Sequence, residues 1–264
     1  MTQSHNGIML IQAALNGDRR KHEHPAVPIS IDELIRDAVA CVAAGAGAIH
    51  LHPHDTEGRE RLDAGIVDEV VTRVRDACGV PVGVTTGAWI EPDLGRRLAM
   101  VRAWRAPDYT SVNLSEPGSI EIMNALIEAG IGIEAGVWTV EDAEHLAASG
   151  LADRVTRILV EPGEEQVGES ATAALVLVEN IHRTLDRYSI TTPRLQHGDG
   201  KVTWALLTDA IRRGIDTRVG LEDTLHEPNG DLTTGNDALV RAAARAAARA
   251  AGQSAARVAI DPVT

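Results

Sequence analysis

The sequence predicts a single α/β domain over residues 1–264, folded as a (β/α)8 TIM barrel. Three observations predict it. Eight short apolar runs alternate with eight longer amphipathic ones. Strict alternation implies a parallel sheet with right-handed crossovers. A chain of 264 residues is also the length at which eight such units close on themselves. An open doubly wound sheet is the alternative, but no GxGxxG follows the first strand.

Strands are expected over 8–15, 46–52, 81–86, 109–114, 130–135, 154–160, 192–196 and 216–222. Helices are expected over 30–44, 60–77, 91–103, 118–129, 140–149, 169–187, 200–213 and 235–251. Ser30, Thr139 and Asp199 or Gly200 stand where a helix N-terminus needs a cap. Gly45, Gly79, Gly130, Gly150 and Gly214 fall just past helix ends, where a left-handed residue closes the last turn. The segment "LVRAAARAAARAAG" (239–252) carries Arg241, Arg245 and Arg249 at four-residue spacing, the mark of a solvated helix face.

With four Trp, two Tyr and no Phe, the core must be built from Ala, Val, Leu and Ile. A formal charge of −13 disfavours nucleic acid and anionic membranes as partners. Cys41 and Cys78 lie in apolar helical contexts and are expected as free thiols. The start "MTQSHNGIMLIQAAL" lacks the pattern of a signal peptide, and no apolar stretch is long enough to span a bilayer. A soluble, cytoplasmic protein is expected.

Three histidines crowd the second strand end, "AGAIHLHPHD" (46–55). His50 and His52 are at i and i+2, so both point to one face, and at a barrel mouth that face is inward. Two imidazoles on one face form half of a divalent metal site, or a hydrogen-bonded pair. His54 lies beyond Pro53 and is expected as a substrate contact or a solvated loop residue. Among the carboxylates placed at strand ends (Glu134, Glu161, Glu222, Asp223), those of "RVGLED" (218–223) are best placed. Arg218, Gly220 and Glu222 share a face of an extended strand. His50, His52 and Glu222 would make a two-His, one-carboxylate site that suits Zn2+. Asp223 beside it is a candidate general base.

"GVTTGAW" (83–89) offers the hydroxyls of Thr85 and Thr86, with Gly87 opening the backbone to a ligand, or else a plain strand cap. Asn113 ends the fourth strand. "LQHGDGK" (195–201) puts His197 and Asp199 after the seventh, and Asp199 reads as a helix cap rather than a phosphate site. No GxSxG, Walker A or CxxC is present, so the usual local signatures of nucleophile enzymes are missing.

Taken in order, "HPAVPISIDELIRDAVACVAAGAGAIHLHPHD" (24–55), "TTG" (85–87), "IEAGVW" (133–138), "RVGLED" (218–223) and "NGDLTTGNDALV" (229–240) resemble the β-keto acid cleavage enzyme family. Its founding activity is 3-keto-5-aminohexanoate cleavage. The resemblance spans most of the chain. It implies a barrel, assembled as a homotetramer, that joins a β-keto acid to acetyl-CoA and releases acetoacetate and a new acyl-CoA through a metal-bound enolate. It implies Zn2+ on His50, His52 and Glu222, with Asp223 as the base, Arg218 orienting it, and Thr85 at the family's Ser/Thr position. Thr86, Gly87, Asn113, Glu134 and His54 are the substrate-side candidates. This chain departs from the family at His54, Thr224 and Ala88, where Arg, Asn and Gly are usual. Those changes border the substrate pocket, so the chemistry is expected to be kept and the substrate to differ. Other expectations for an HxH barrel are a keto-acid lyase or aldolase working without CoA, an amidohydrolase-type hydrolase, or a non-catalytic metal-binding scaffold.

Overall fold

A computed structural model of the chain describes residues 9–260, and side chains through residue 253. Eight parallel strands close into a barrel in sequence order. They are β1 (Ile11–Ala14), β2 (Ala48–Leu51), β3 (Val82–Thr85), β4 (Tyr109–Asn113), β5 (Gly132–Val137), β6 (Arg157–Val160), β7 (Arg194–Gln196) and β8 (Asp216–Val219). The seam closes where β1 pairs with β8, Gln12 opposite Arg218. Residue 8, the first of the expected opening strand, lies outside the described residues.

Each strand is followed by helix: α1 (Ile31–Ala44), α2 (Ala64–Cys78), α3 (Leu94–Ala103), α4 (Ser119–Ala129), α5 (Val140–Ser149), α6 (Glu164–Val167), α7 (Ala171–Arg187), α8 (Thr203–Arg213) and α9 (Asn236–Ile260). The short α6 was not expected from the sequence; one turn carries too little periodicity to read. Ser30 and Thr139 cap α1 and α5 through reciprocal boxes with Glu33 and Asp142. The five expected C-terminal glycines all take left-handed backbone angles. Asp199 caps a neighbour instead of its own helix: its Oδ1 accepts from the Glu164 amide at α6 at 2.7 Å.

Between barrel and helices the core is aliphatic, with Leu34, Val70, Val74, Leu126, Val178 and Leu206 fully buried. The one large aromatic inside it, Trp104, donates its indole N–H to the Leu62 carbonyl at 2.8 Å, as a buried Trp must. Arg241, Arg245 and Arg249 are exposed along α9. Both cysteines are free. Among the described residues no helix is long and apolar enough to cross a membrane.

Two C-terminal strand ends differ from expectation by more than one residue, and both differences move site residues. β5 runs on to Val137, because Gly136 and Val137 continue the ladder opposite Asn113 and Val160. Glu134 therefore lies mid-strand, inside the barrel rather than at its mouth. There it accepts from Gln12 Nε2 at 2.8 Å and faces Arg157 Nε at 3.3 Å. β8 stops at Val219 instead of reaching Glu222. The amides of Asp223 and Thr224 both return to the Gly220 carbonyl, at 3.0 and 2.9 Å, so "GLED" is a turn.

Candidate functional site: a two-histidine, one-carboxylate centre at the barrel mouth

The turn after β8 settles a difficulty that strand alternation leaves. On an extended strand Glu222 and Asp223 would face opposite ways. Coiled back on Gly220, both reach Arg218, whose Nη2 lies 2.6 Å from Glu222 Oε1 and 2.8 Å from Asp223 Oδ1. The turn sits tight against β1. A side-chain carbon at Gly220 would come within 2.6 Å of the Ala14 carbonyl carbon and nearer still to its oxygen. Asn236 fastens the turn from below. Its Oδ1 accepts from the Leu221 amide at 2.6 Å while its Nδ2 donates to the Leu15 carbonyl at 2.7 Å.

Across the mouth, β2 delivers the histidines. His50 and His52 are 1% and 4% exposed. Asn16 clamps the strand end from both sides: the His52 amide donates to its Oδ1, and its Nδ2 donates to the His52 carbonyl, each at 2.9 Å. Glu60 accepts from His52 Nδ1 at 2.6 Å, which fixes that proton and turns the Nε2 lone pair inward. Trp89 stacks on the same ring at 6.0 Å between centroids, and its indole N–H reaches Glu60 Oε2 at 3.3 Å. His52 Nε2 then stands 3.6 Å from Glu222 Oε1, and His50 Nε2 stands 3.7 Å from Glu222 Oε2.

One ligand atom from each of the three lies within 4.8 Å of the others. Glu222 Oε2 is buried without a hydrogen-bond partner. Two imidazole nitrogens and a carboxylate oxygen are the donor set of a catalytic divalent metal site with open positions. The charges agree with that. Burial holds His50 down at about 3, so it is a neutral ligand. Burial also opposes charge on His52, but Glu222 and Glu60 outweigh it and raise it to about 9: the site attracts positive charge. Glu222 stays ionised, because Arg218 and the two histidines overcome its burial. Burial, reinforced by Glu222 and opposed by Arg218, raises Asp223 to about 6. An ordinary aspartate near 4 is a poor base at neutral pH. This one is better matched to proton abstraction.

The centre opens into a cavity of about 250 Å3 whose lining includes His52, Thr85, Asn113, Arg218, Glu222 and Asp223. His50 lies behind it, and Thr86, Gly87, Glu134 and His54 do not line it either. The Thr86 hydroxyl donates to the Ser111 carbonyl at 2.7 Å and joins β3 to β4. The space over Gly87 is taken by the Trp89 ring, 2.5 Å from where a side-chain carbon would stand. His54 is neither solvated nor facing the cavity. It is 6% exposed, with Nδ1 2.8 Å from the His52 carbonyl oxygen and Nε2 3.1 Å from Arg20 Nη1. It ties the loop after β1 to the loop after β2.

Several residues at the site carry no local sequence signal. Trp89 from the β3 loop and Trp138 from the end of β5 line the cavity, and Glu60 from the β2 loop stands behind His52. His197 and Glu161 form a buried pair, Nε2 to Oε2 at 2.8 Å, with His197 Nδ1 3.6 Å from Asp223 Oδ1. Both had been placed at strand ends, and their mutual approach was the missing signal.

The family described as beta-keto acid cleavage enzyme matches residues 9–259. The chain belongs to this family. Among β-keto acid cleavage relatives, the 3-keto-5-aminohexanoate cleavage enzyme of Fusobacterium nucleatum subsp. nucleatum is 26% identical over 249 residues, 88% of each chain. The enzyme of the same name from Acetoanaerobium sticklandii is 30% identical over 93 residues, 35% of this chain and 32% of that one. Among solved structures, a binary complex of ObcA with oxaloacetate superimposes at a TM-score of 0.64 and 14% identity, covering 84% of this chain and 63% of that longer one. Yersinia pestis dihydropteroate synthase in a sulfonamide complex gives a TM-score of 0.59 at 14% identity, covering 94% of each chain. At such identities these two speak for the barrel fold alone.

Proposed function

We propose that this β-keto acid cleavage family member is zinc-dependent and uses acetyl-CoA, converting a β-keto acid and acetyl-CoA to acetoacetate and a new acyl-CoA. The observation that carries the reading is the convergence of His50, His52 and Glu222 beside the Arg218–Asp223 pair, with all but His50 lining one cavity. His50 and His52 would hold the metal through Nε2 and Glu222 through its carboxylate. A dication there supplies a Lewis acid that draws charge from a keto oxygen and acidifies the adjacent C–H.

The remaining work falls to side chains. Asp223 takes a proton from the carbon between keto group and carboxylate. Arg218, 2.8 Å away, keeps that carboxylate aimed and balances the charge it shares with Glu222. Thr85 Oγ1 accepts from the Gly87 amide at 3.0 Å, which leaves its O–H free to donate to a substrate oxygen. Asn113 closes the side of the cavity. The homotetramer and the cytoplasmic location rest on the resemblance and on sequence composition.

The test is a panel of β-keto acids incubated with and without acetyl-CoA. Acetoacetate should form only when acetyl-CoA is present. Consumption of the keto acid without it would refute the acyl transfer and favour a lyase.

A further inference from the structure

Asn236 opens α9 and is fully buried, and both polar atoms of its amide are engaged. Its Oδ1 accepts from the Leu221 amide, one residue before Glu222, at 2.6 Å. Its Nδ2 donates to the Leu15 carbonyl at 2.7 Å and to Asp37 Oδ2 at 2.6 Å. The Leu15 amide in turn donates to the His50 carbonyl at 2.9 Å. One buried amide therefore joins the turn that carries Glu222 and Asp223 to the strand that carries His50. A side-chain amide has two N–H donors. Leu15 takes one, and Asp37 takes the other.

Stability does not account for Asp37. It lies midway along α1, outside the barrel. Among the described residues its side chain bonds only to Asn236 and pairs with no cation. The neighbouring Arg36 turns back to the Asp32 carbonyl at 3.2 Å. Burial, with Asp237 adding, raises the Asp37 carboxyl to about 7. A part-buried carboxylate without a cation costs free energy once ionised. What Asp37 supplies is orientation, because it holds the Asn236 amide from the outer layer.

We propose that Asp37, on a helix outside the barrel, is a positioning residue for the reaction: by holding the Asn236 amide it keeps the turn of Glu222 and Asp223 in register with His50. This rests on the reaction proposed above. Without Asp37 one buried N–H has no acceptor. The amide tilts to find one, and its bond to the Leu221 amide lengthens.

The test compares wild type with Asp37→Ala, which removes the acceptor, Asp37→Asn, which keeps one, and Asp68→Ala as a control. Asp68, on α2, accepts from the Arg105 and Ala106 amides at 3.0 and 2.9 Å, so its loss loosens the helix layer without touching Asn236. Exchange of the Leu221 amide is followed by NMR in metal-free protein. The kcat and KM are measured with zinc, acetyl-CoA and the best β-keto acid of the panel. In Asp37→Ala the Leu221 amide should exchange about tenfold faster and kcat should fall about tenfold, each the worth of one hydrogen bond. KM should change little, because Asp223 acts on the transition state rather than on binding. Asp37→Asn should regain most of both losses. Asp68→Ala should melt lower yet keep wild-type exchange at Leu221 and wild-type kcat. Asp37→Leu also removes the acceptor and serves if Asp37→Ala does not fold. Wild-type exchange or wild-type kcat in Asp37→Ala, or equal losses in Asp68→Ala, overturns the assignment and leaves the reaction standing. Faster Leu221 exchange in Asp37→Ala, with no keto acid turned over by wild type, overturns the reaction and leaves the positioning standing.

Discussion

Substituting Gly220 by alanine probes the turn that builds the site. The residue before it, Val219, ends β8, and the two after the next, Glu222 and Asp223, carry the proposed ligand and base. The new methyl carbon would stand 2.6 Å from the Ala14 carbonyl carbon. Carbon atoms in contact prefer at least about 3.5 Å, so β1 and the turn must separate by about 1 Å. Both partners are backbone in a closed barrel, and neither can rotate away. Overpacking of this kind costs about 1–3 kcal/mol, and each kcal/mol lowers Tm by about 2–4 °C at this chain length. The effect on turnover should be larger. A 1 Å misplacement of reacting groups costs about 100-fold. The Gly220→Ala protein should therefore fold, melt several degrees lower, and lose about two orders of magnitude in kcat/KM. Thermal melts and steady-state kinetics on the same preparation check this. Wild-type kinetics in Gly220→Ala would refute the claim that the turn, held against Ala14, sets the positions of Glu222 and Asp223.

Other substitutions separate the roles. Glu60→Gln weakens the acceptor that orients His52, and metal affinity by competition with a chelator should fall about 10–100-fold while the barrel stays folded by circular dichroism. Asp223→Asn should keep the metal and lose about 100- to 10,000-fold in kcat; a small loss would mean that the base is another group. Asp37, on α1 and bonded to Asn236 Nδ2 at 2.6 Å, gives a stability prediction. Burial raises it from 3.8 to about 7, with Asp237 adding and Asn236 opposing. A carboxyl raised on folding binds more protons in the native state, so stability falls as pH rises from about 4 to about 7 and is lowest above that window. At about 1.4 kcal/mol per unit the ceiling is about 4 kcal/mol. Asp37→Asn should therefore be more stable than wild type in urea melts at pH 8, by up to that amount, and about equal near pH 4. An equal gain at both pH values would contradict the assignment.

How much of this was legible in the sequence follows from which interactions are local. Strand periodicity is local, so His50 and His52 could be placed on one face and the eight units counted. Helix caps are local too, and Ser30, Thr139 and the C-terminal glycines behave as their positions imply. Where a strand ends is less local, because it depends on what the neighbouring strands offer. Glu134 was expected at the mouth, but β4 and β6 supply partners for two further residues, so it faces Gln12 and Arg157 inside. Glu222 was expected beside His50 and His52 by extending β8 through it. The structure reaches the same place by a turn, which also brings Asp223 round. His54 looked free because sequence alone does not show its turn back onto the His52 carbonyl or the approach of Arg20 from the loop after β1. Glu60, Trp89 and the Glu161–His197 pair arise from loops that meet only in three dimensions.

The central claim is that His50, His52 and Glu222 together hold a catalytic divalent metal. The most direct measurement is metal content by mass spectrometry of the purified protein after loading with zinc and gel filtration, for wild type, His50→Ala and Glu222→Ala, each checked for folding. The account predicts about one zinc per chain in wild type and a near-complete loss in both variants. No retained zinc in folded wild type, or equal retention in all three proteins, would contradict it.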